Sequence, residues 1–162
     1  MDKDSLLEGK RILIVDDEPD ILETLEDLLP MCEIVTASSF EQGKELLDSG
    51  NFDLAVLDIM GVGGYELLDI AQEKNIPTAM LTAYALSPEN VVKSFKKGAA
   101  FYIPKEKMVN IATYLTDILE VKRKGKNPWG RWYKRFADYC ERKFGAEWKK
   151  TDEAFWEKFP FH

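Results

Sequence analysis

The chain predicts an α/β fold, a parallel five-stranded sheet with helices on both faces, followed by a basic helical extension. Three observations carry this. Short runs rich in β-branched and aliphatic residues recur five times in the first three quarters of the chain. Most are uniformly apolar rather than alternating, which suits strands covered on both faces. Between the runs, apolar residues fall at helical spacing. Beyond residue 121, charge and aromatic content change together: residues 1–121 hold 10 Lys and Arg against 23 Asp and Glu, a net −13, whereas 122–162 hold 12 against 6, a net +6, and all four tryptophans.

The predicted strands are Arg11–Val15, Glu33–Thr36, Leu54–Leu57, Thr78–Leu81 and Phe101–Ile103. Ile21, Leu22, Leu25, Leu28 and Leu29 give the first helix its apolar face. Ser39 with Gln42 reads as a capping box for the second. Ser87 before Pro88 reads as an N-cap with proline at the first helical position. Met108, Ile111, Ala112, Leu115, Ile118 and Leu119 form the face of the fifth helix. Five alternations imply a parallel sheet. Right-handed crossovers leave few arrangements, and the flavodoxin-like (βα)5 order 2-1-3-4-5 is the common one.

Lys122 to Lys126 reads as a linker and Asn127-Pro128 as a helix start. Trp129, Trp132, Tyr133, Phe136 and Cys140 then follow at helical spacing. Thr151-Asp152-Glu153 opens a shorter helix bearing Phe155, Trp156 and Phe159. The domains expected are thus 1–121 and a Trp-rich extension, 122–162. A segment this short rarely folds alone. Its aromatic faces must pack on each other, on the α/β body, on a second copy or on a partner, with Trp129, Trp132 and Phe136 as the expected anchors.

No secretory layout opens the chain, and no apolar run approaches the ~20 residues that span a bilayer. A soluble, cytoplasmic protein is expected. Cys32 and Cys140 lack a CxxC partner and read as reduced structural thiols, without disulfide or zinc. The only histidine, His162, is the last residue. It reads as a frayed terminus, which argues against a phosphohistidine carrier or a histidine-based catalyst.

The C-terminal strand ends share the sheet edge where ligands bind in such folds. Asp16 and Asp17, Asp58, Thr82 and Lys105 all follow predicted strands. Converging carboxylates repel and raise one another's pKa unless a cation neutralises them. Oxygen-only ligands select a hard ion, and an open octahedral site suits Mg²⁺. A lysine and a hydroxyl donor are what a phosphoryl group needs, with one carboxylate as nucleophile.

These residues resemble the response-regulator receiver family. The resemblance rests on Ile12-Leu-Ile-Val-Asp16-Asp17-Glu18-Pro19, Leu57-Asp58-Ile59-Met60, Leu81-Thr82-Ala83 and Gly98-Ala-Ala-Phe-Tyr-Ile-Pro104-Lys105. It implies that Asp58 is the phosphorylated aspartate, and that Asp16, Asp17, Asp58 and the Met60 carbonyl hold Mg²⁺. Lys105 would contact the acyl phosphate, and Thr82 and Tyr102 would be the switch residues, with the Tyr102 ring turning inward on activation. The implied partner is a sensor histidine kinase or phosphotransfer protein, and the only catalysis is the domain's own phosphorylation and dephosphorylation. Two departures stand out. The loop after Asp58 is shorter than usual and relies on Gly61, Gly63 and Gly64. Pro104 precedes Lys105 where the family has proline after it, so the family's cis bond does not carry over.

Competing readings are a Mg²⁺-dependent aspartate-nucleophile phosphohydrolase, which resembles Asp-x-Asp where this chain has Asp58-Ile-Met, and a tail that binds single-stranded nucleic acid or a membrane surface. A homodimer is also open. The tail lacks the pattern of a helix-turn-helix. Tyr84, two residues beyond Thr82, is expected to flank the phosphoryl group and hinder water.

Overall fold

The structure, a computed structural model, describes residues 6–84 and 86–161. The order of elements is β1 (Arg11–Val15), α1 (Pro19–Leu28), β2 (Glu33–Ala37), α2 (Phe40–Ser49), β3 (Leu54–Asp58), α3 (Gly64–Glu73), β4 (Thr78–Thr82), α4 (Pro88–Lys96), β5 (Phe101–Pro104), α5 (Ile111–Arg123), α6 (Trp129–Phe144) and α7 (Glu153–Glu157). The five strands form one parallel sheet in the order β2-β1-β3-β4-β5. Every residue of β3, β4 and β5 is buried, the outcome that unbroken apolar runs dictate when helices cover both faces.

Register decides where the polar residues arrive. Val15 pairs with Leu57, Asp58 with Leu81 and Thr82 with Pro104, so the C-terminal ends line up. Asp58 and Thr82 are the last members of their strands rather than the first residues beyond them.

Local signals behave as their chemistry requires, with two differences. Ser39 Oγ accepts the Gln42 amide at 3.2 Å, but Gln42 Oε1 takes the Ser38 amide instead of closing a box on Ser39. Met108 lies in a 3-10 turn, Lys105–Asn110, and α5 opens at Ile111. Ser87 caps α4 as expected, accepting the Asn90 amide at 3.1 Å. No cis peptide occurs among the described residues, so the Ile103–Pro104 bond is trans.

The extension lies across α4, β5 and α5. Asn127 Oδ1 accepts the Trp129 amide and Asp152 Oδ1 that of Phe155, which starts α6 and α7. A 3-10 turn, Trp148–Asp152, joins them. Phe95 of α4 stands 4.7 Å from the Trp132 ring and 5.1 Å from Trp129, while Phe136 faces Phe101 and Tyr114. Two of the indoles find acceptors: Trp129 Nε1 donates to the Ala99 carbonyl at 2.8 Å and Trp132 Nε1 to that of Tyr102 at 2.7 Å, whereas the buried Trp156 Nε1 meets none among the described residues. Phe159 closes over Phe95, Trp129 and Trp132. Buried residues of sheet and extension belong to one apolar cluster, so the tail extends the core and does not form a second.

Charge follows the same pairing. Asp117 of α5, 2% exposed, accepts Arg131 at 2.7 Å and Arg135 at 2.8 Å, and Arg131 also meets Glu120 at 3.0 Å. Cys32 and Cys140 are free. No described helix is long and apolar enough to cross a membrane. The expectation for His162 lies outside the described residues.

Candidate functional site

Four of the expected side chains converge at the sheet edge. Asp16, the residue after β1, is fully buried; Asp58, at the end of β3, is 4% exposed; Asp17 is exposed beside them. Their carboxylates each offer an oxygen within 4.8 Å of the others. Lys105 opens the 3-10 turn after β5 and brings its ammonium to 2.9 Å from Asp16 Oδ2, 3.4 Å from Glu18 Oε2 and 3.6 Å from Asp58 Oδ2. Glu18 is the member that sequence reasoning left without a role. Its place beside Asp17 was visible, but its reach to Lys105 depends on how α1 begins.

The local chain explains why these groups face inward. Asp16 Oδ1 accepts the Glu18 amide at 2.9 Å, turning the chain into α1, whose first residue is Pro19. Asp17 does not cap the helix, so its carboxylate stays available. The loop after Asp58 depends on glycine at two points. Gly61 has φ +88°, and a Cβ there would stand 2.5 Å from Asp17 Oδ2. A Cβ on Gly64 would stand 2.1 Å from the Asp58 carbonyl oxygen. A side chain at Gly61 would displace the Asp17 carboxylate and one at Gly64 the Asp58 backbone, so the short loop brings its backbone close where a longer one would use proline.

Electrostatics mark the cluster as poised for a cation. Burial, with the neighbouring Asp16 and Asp17 charges, pushes the Asp58 carboxyl up to about 7 despite Lys105. Burial also raises Asp16, against the Glu18 amide and Lys105. Burial would lower Lys105, but the surrounding carboxylates outweigh it and hold the ammonium charged. Among the described residues Asp16 Oδ2 has no hydrogen-bond donor in good geometry, and the Lys105 ammonium stands 2.9 Å from it. Oxygen donors in this number and spacing fit a divalent cation.

A pH dependence follows. An unfolded Asp58 loses its proton near 3.8, whereas the folded one holds it to about 7. Between those values the folded state binds more protons, so metal-free stability falls as pH rises from about 4 to about 7, by something on the order of a few kcal/mol. Melting temperatures at pH 5 and pH 8 should show this fall. A divalent cation is expected to restore the loss mainly at pH 8, and Asp58→Asn to flatten the metal-free profile.

The remaining expected residues are placed as follows. Thr82 is buried at the end of β4, one residue past Leu81, the partner of Asp58. Tyr102 is buried in β5; desolvation raises its hydroxyl far above the usual range, opposed by a hydrogen bond with the Ser87 backbone. Met60 is half exposed in the loop. Tyr84, two residues beyond the end of β4, is 82% exposed.

Comparison with known proteins is consistent with this geometry. The family model for the response regulator receiver domain matches residues 12–116, ending before the extension. The two-component response regulator ARR18 of Arabidopsis thaliana is 36% identical over 103 residues, which is 60% of this chain and 16% of that protein. A CheY-like receiver domain from Methanospirillum hungatei is 31% identical with a TM-score of 0.60, covering 70% of this chain and 98% of that one. The response regulator TrrA of Thermotoga maritima, in complex with Mg²⁺ and BeF, is 34% identical with a TM-score of 0.58, covering 67% of this chain and 98% of that one. The chain spans less than a quarter of the plant regulators it matches.

Proposed function

The chain belongs to the response-regulator receiver family, and on that premise we propose that Asp58 accepts the phosphoryl group, with Lys105 and Thr82 as its partners and Tyr102 as the second switch residue. The domain is a phospho-accepting switch, and its chemistry acts on its own aspartate. One observation carries the assignment: three carboxylates and the Lys105 ammonium meet at one sheet edge, with Asp58 buried among them.

Asp16, Asp17, Asp58 and the Met60 carbonyl would hold Mg²⁺, a hard ion suited to an oxygen-only site; TrrA was captured with the same cation. Bound there, the ion would offset the carboxylate repulsion and draw charge from the phosphoryl oxygens. An Asp58 oxygen attacks phosphorus, and the donor's leaving group departs. Lys105, freed from Asp16, contacts a phosphoryl oxygen, and the Thr82 hydroxyl donates to another. Tyr102 is buried in β5 and its carbonyl accepts the Trp132 indole N–H of α6, so a change at the switch would act on the packing of the extension.

In this reading residues 1–121 are the receiver and 122–162 the extension, and a sensor histidine kinase or phosphotransfer protein in the cytoplasm supplies the phosphoryl group. The extension occupies the α4, β5 and α5 face, so a homodimer would use another surface. The nucleic-acid and membrane readings lose support because Arg131 and Arg135 are engaged by Asp117. The phosphohydrolase reading lacks the second carboxylate of Asp-x-Asp.

Intact-mass measurement tests the proposal. The full chain, given a small-molecule phosphodonor and Mg²⁺, is expected to gain one phosphoryl group that hydroxylamine removes, as it does from an acyl phosphate. Chelation should prevent the gain. Sustained turnover of a generic phosphate ester would instead establish a phosphohydrolase, and absence of labelling a receiver that works without phosphate.

A further inference from the structure

The extension grips the chain on both sides of Lys105. On the strand side, the Tyr102 carbonyl accepts the Trp132 indole N–H at 2.7 Å. On the other, the Glu106 carboxylate accepts the Tyr139 hydroxyl and faces the Lys143 ammonium at 3.7 Å. Lys107 lies over the Tyr139 ring, 5.6 Å from its centre. Tyr139 therefore holds both residues that follow Lys105. Trp132, Tyr139 and Lys143 are spaced by seven and four residues and share one face of α6. Seven helical residues rise ~10 Å, close to the ~12 Å covered from Tyr102 to Glu106 by the end of β5 and the first step of the 3-10 turn. Helix and segment run side by side in the same direction.

The same helix walls the space beside the phosphoryl site. A cavity of about 330 Å³ is lined by Thr82, Leu86, Lys105 and Glu106 together with Tyr139 and Lys143. Thr82 and Lys105 thus open onto a cleft that has Tyr139 and Lys143 of α6 in its wall.

We propose that Tyr139 is a positioning residue for the phosphoryl site: by anchoring Glu106 and Lys107 it fixes the turn that presents Lys105 to Asp58. This rests on the roles assigned to Asp58 and Lys105 above. Lys105 stands among three carboxylates and nearest to Asp16, so its position decides which of them it neutralises. Attraction at these distances changes steeply with small displacements where water is excluded. Glu106, one residue away, would be a fourth acceptor were it not held outside the cluster by Tyr139 and Lys143. The extension is then part of the acceptor site as well as a cover for its neighbouring face.

The test is Tyr139→Phe in the full chain, which keeps the ring and loses the hydroxyl. Two readings are taken. The maximal rate of phosphoryl uptake from a small-molecule donor should fall about five- to tenfold, the scale of one typical hydrogen bond lost. Donor KM should be unchanged and the melting temperature should fall by no more than a few degrees, and Glu106→Gln, which still accepts the hydroxyl, should stay near wild type. Separately, Lys105 in the metal-free protein should react with an amine reagent several-fold faster in Tyr139→Phe than in wild type, read by peptide mass, with Lys44 as the internal reference. If wild type takes up phosphoryl and either reading is unchanged in the variant, the positioning role is overturned and the acceptor assignment stands. If wild type takes up none, the acceptor assignment falls, and Lys105 reactivity alone decides: faster supports the positioning role, unchanged overturns it.

Discussion

Asp58→Ala is expected to abolish phosphoryl uptake altogether, the largest effect foreseen for any single substitution. Of the three clustered carboxylates, Asp58 alone ends a central strand, with its side chain nearly buried and the Lys105 ammonium 3.6 Å away. Asp16 is committed to the Glu18 amide and the Lys105 ammonium, and Asp17 sits at the exposed rim. The environment that pushes the Asp58 carboxyl up to about 7 also makes its oxygens more basic than those of an ordinary carboxylate, a property of a nucleophile. Asp16→Asn and Asp17→Asn should keep some uptake at raised Mg²⁺, since they would remove cation ligands and leave the attacking group in place. Intact mass distinguishes the cases. Undiminished labelling of Asp58→Ala would falsify the acceptor assignment.

Trp132→Ala is expected to destabilise the whole chain by ~3–5 kcal/mol, the cost of removing a large buried aromatic side chain. Trp132 is fully buried, contacts Phe95, Phe136 and Phe159, and donates to the Tyr102 carbonyl. Because its neighbours belong to the receiver and to both parts of the extension, denaturant unfolding should remain a single transition with a lower midpoint. Lys96→Ala, which breaks the exposed pair with Asp152, should cost no more than ~1 kcal/mol. Equal, small effects for the two would mean that the extension is held by surface charge. A separate early transition for the tail would mean that it docks without sharing the core.

The difference between these two substitutions is also the difference between what periodicity discloses and what it does not. Runs such as Leu54-Ala-Val-Leu57 reveal buried strands because the signal is local: a strand covered on both faces has no polar position to spare. Asp16, Asp58 and Lys105 were legible for the same reason, as polar residues placed where apolar runs stop. The aromatic stripe of α6 was legible as a stripe, and the expected anchors Trp129, Trp132 and Phe136 all pack against the α/β body. Its destination was not, because an apolar face of a helix specifies that it must be covered and says nothing about by what. The roles of Asp117, Glu18 and Glu106 were missed for a related reason. Each is an ordinary acidic residue on a helix or turn, and its importance comes from partners on another element, such as Arg131 and Arg135 for Asp117.

The amino-acid sequence by itself determined the parallel sheet, its 2-1-3-4-5 order and the edge where the acidic cluster gathers. Those features follow from strand periodicity, the handedness of crossovers and the shared direction of parallel strands, all set by chain-local chemistry. The tertiary structure decided that the basic extension folds back on α4, β5 and α5, that the shortened loop is accommodated by Gly61 and Gly64 against Asp17 and Asp58, and that Tyr139 meets Glu106 beside Lys105. Apart from Gly64 beside Asp58, these depend on contacts between residues from fourteen to more than forty positions apart in the chain, whose free energy exists only once whole helices are placed.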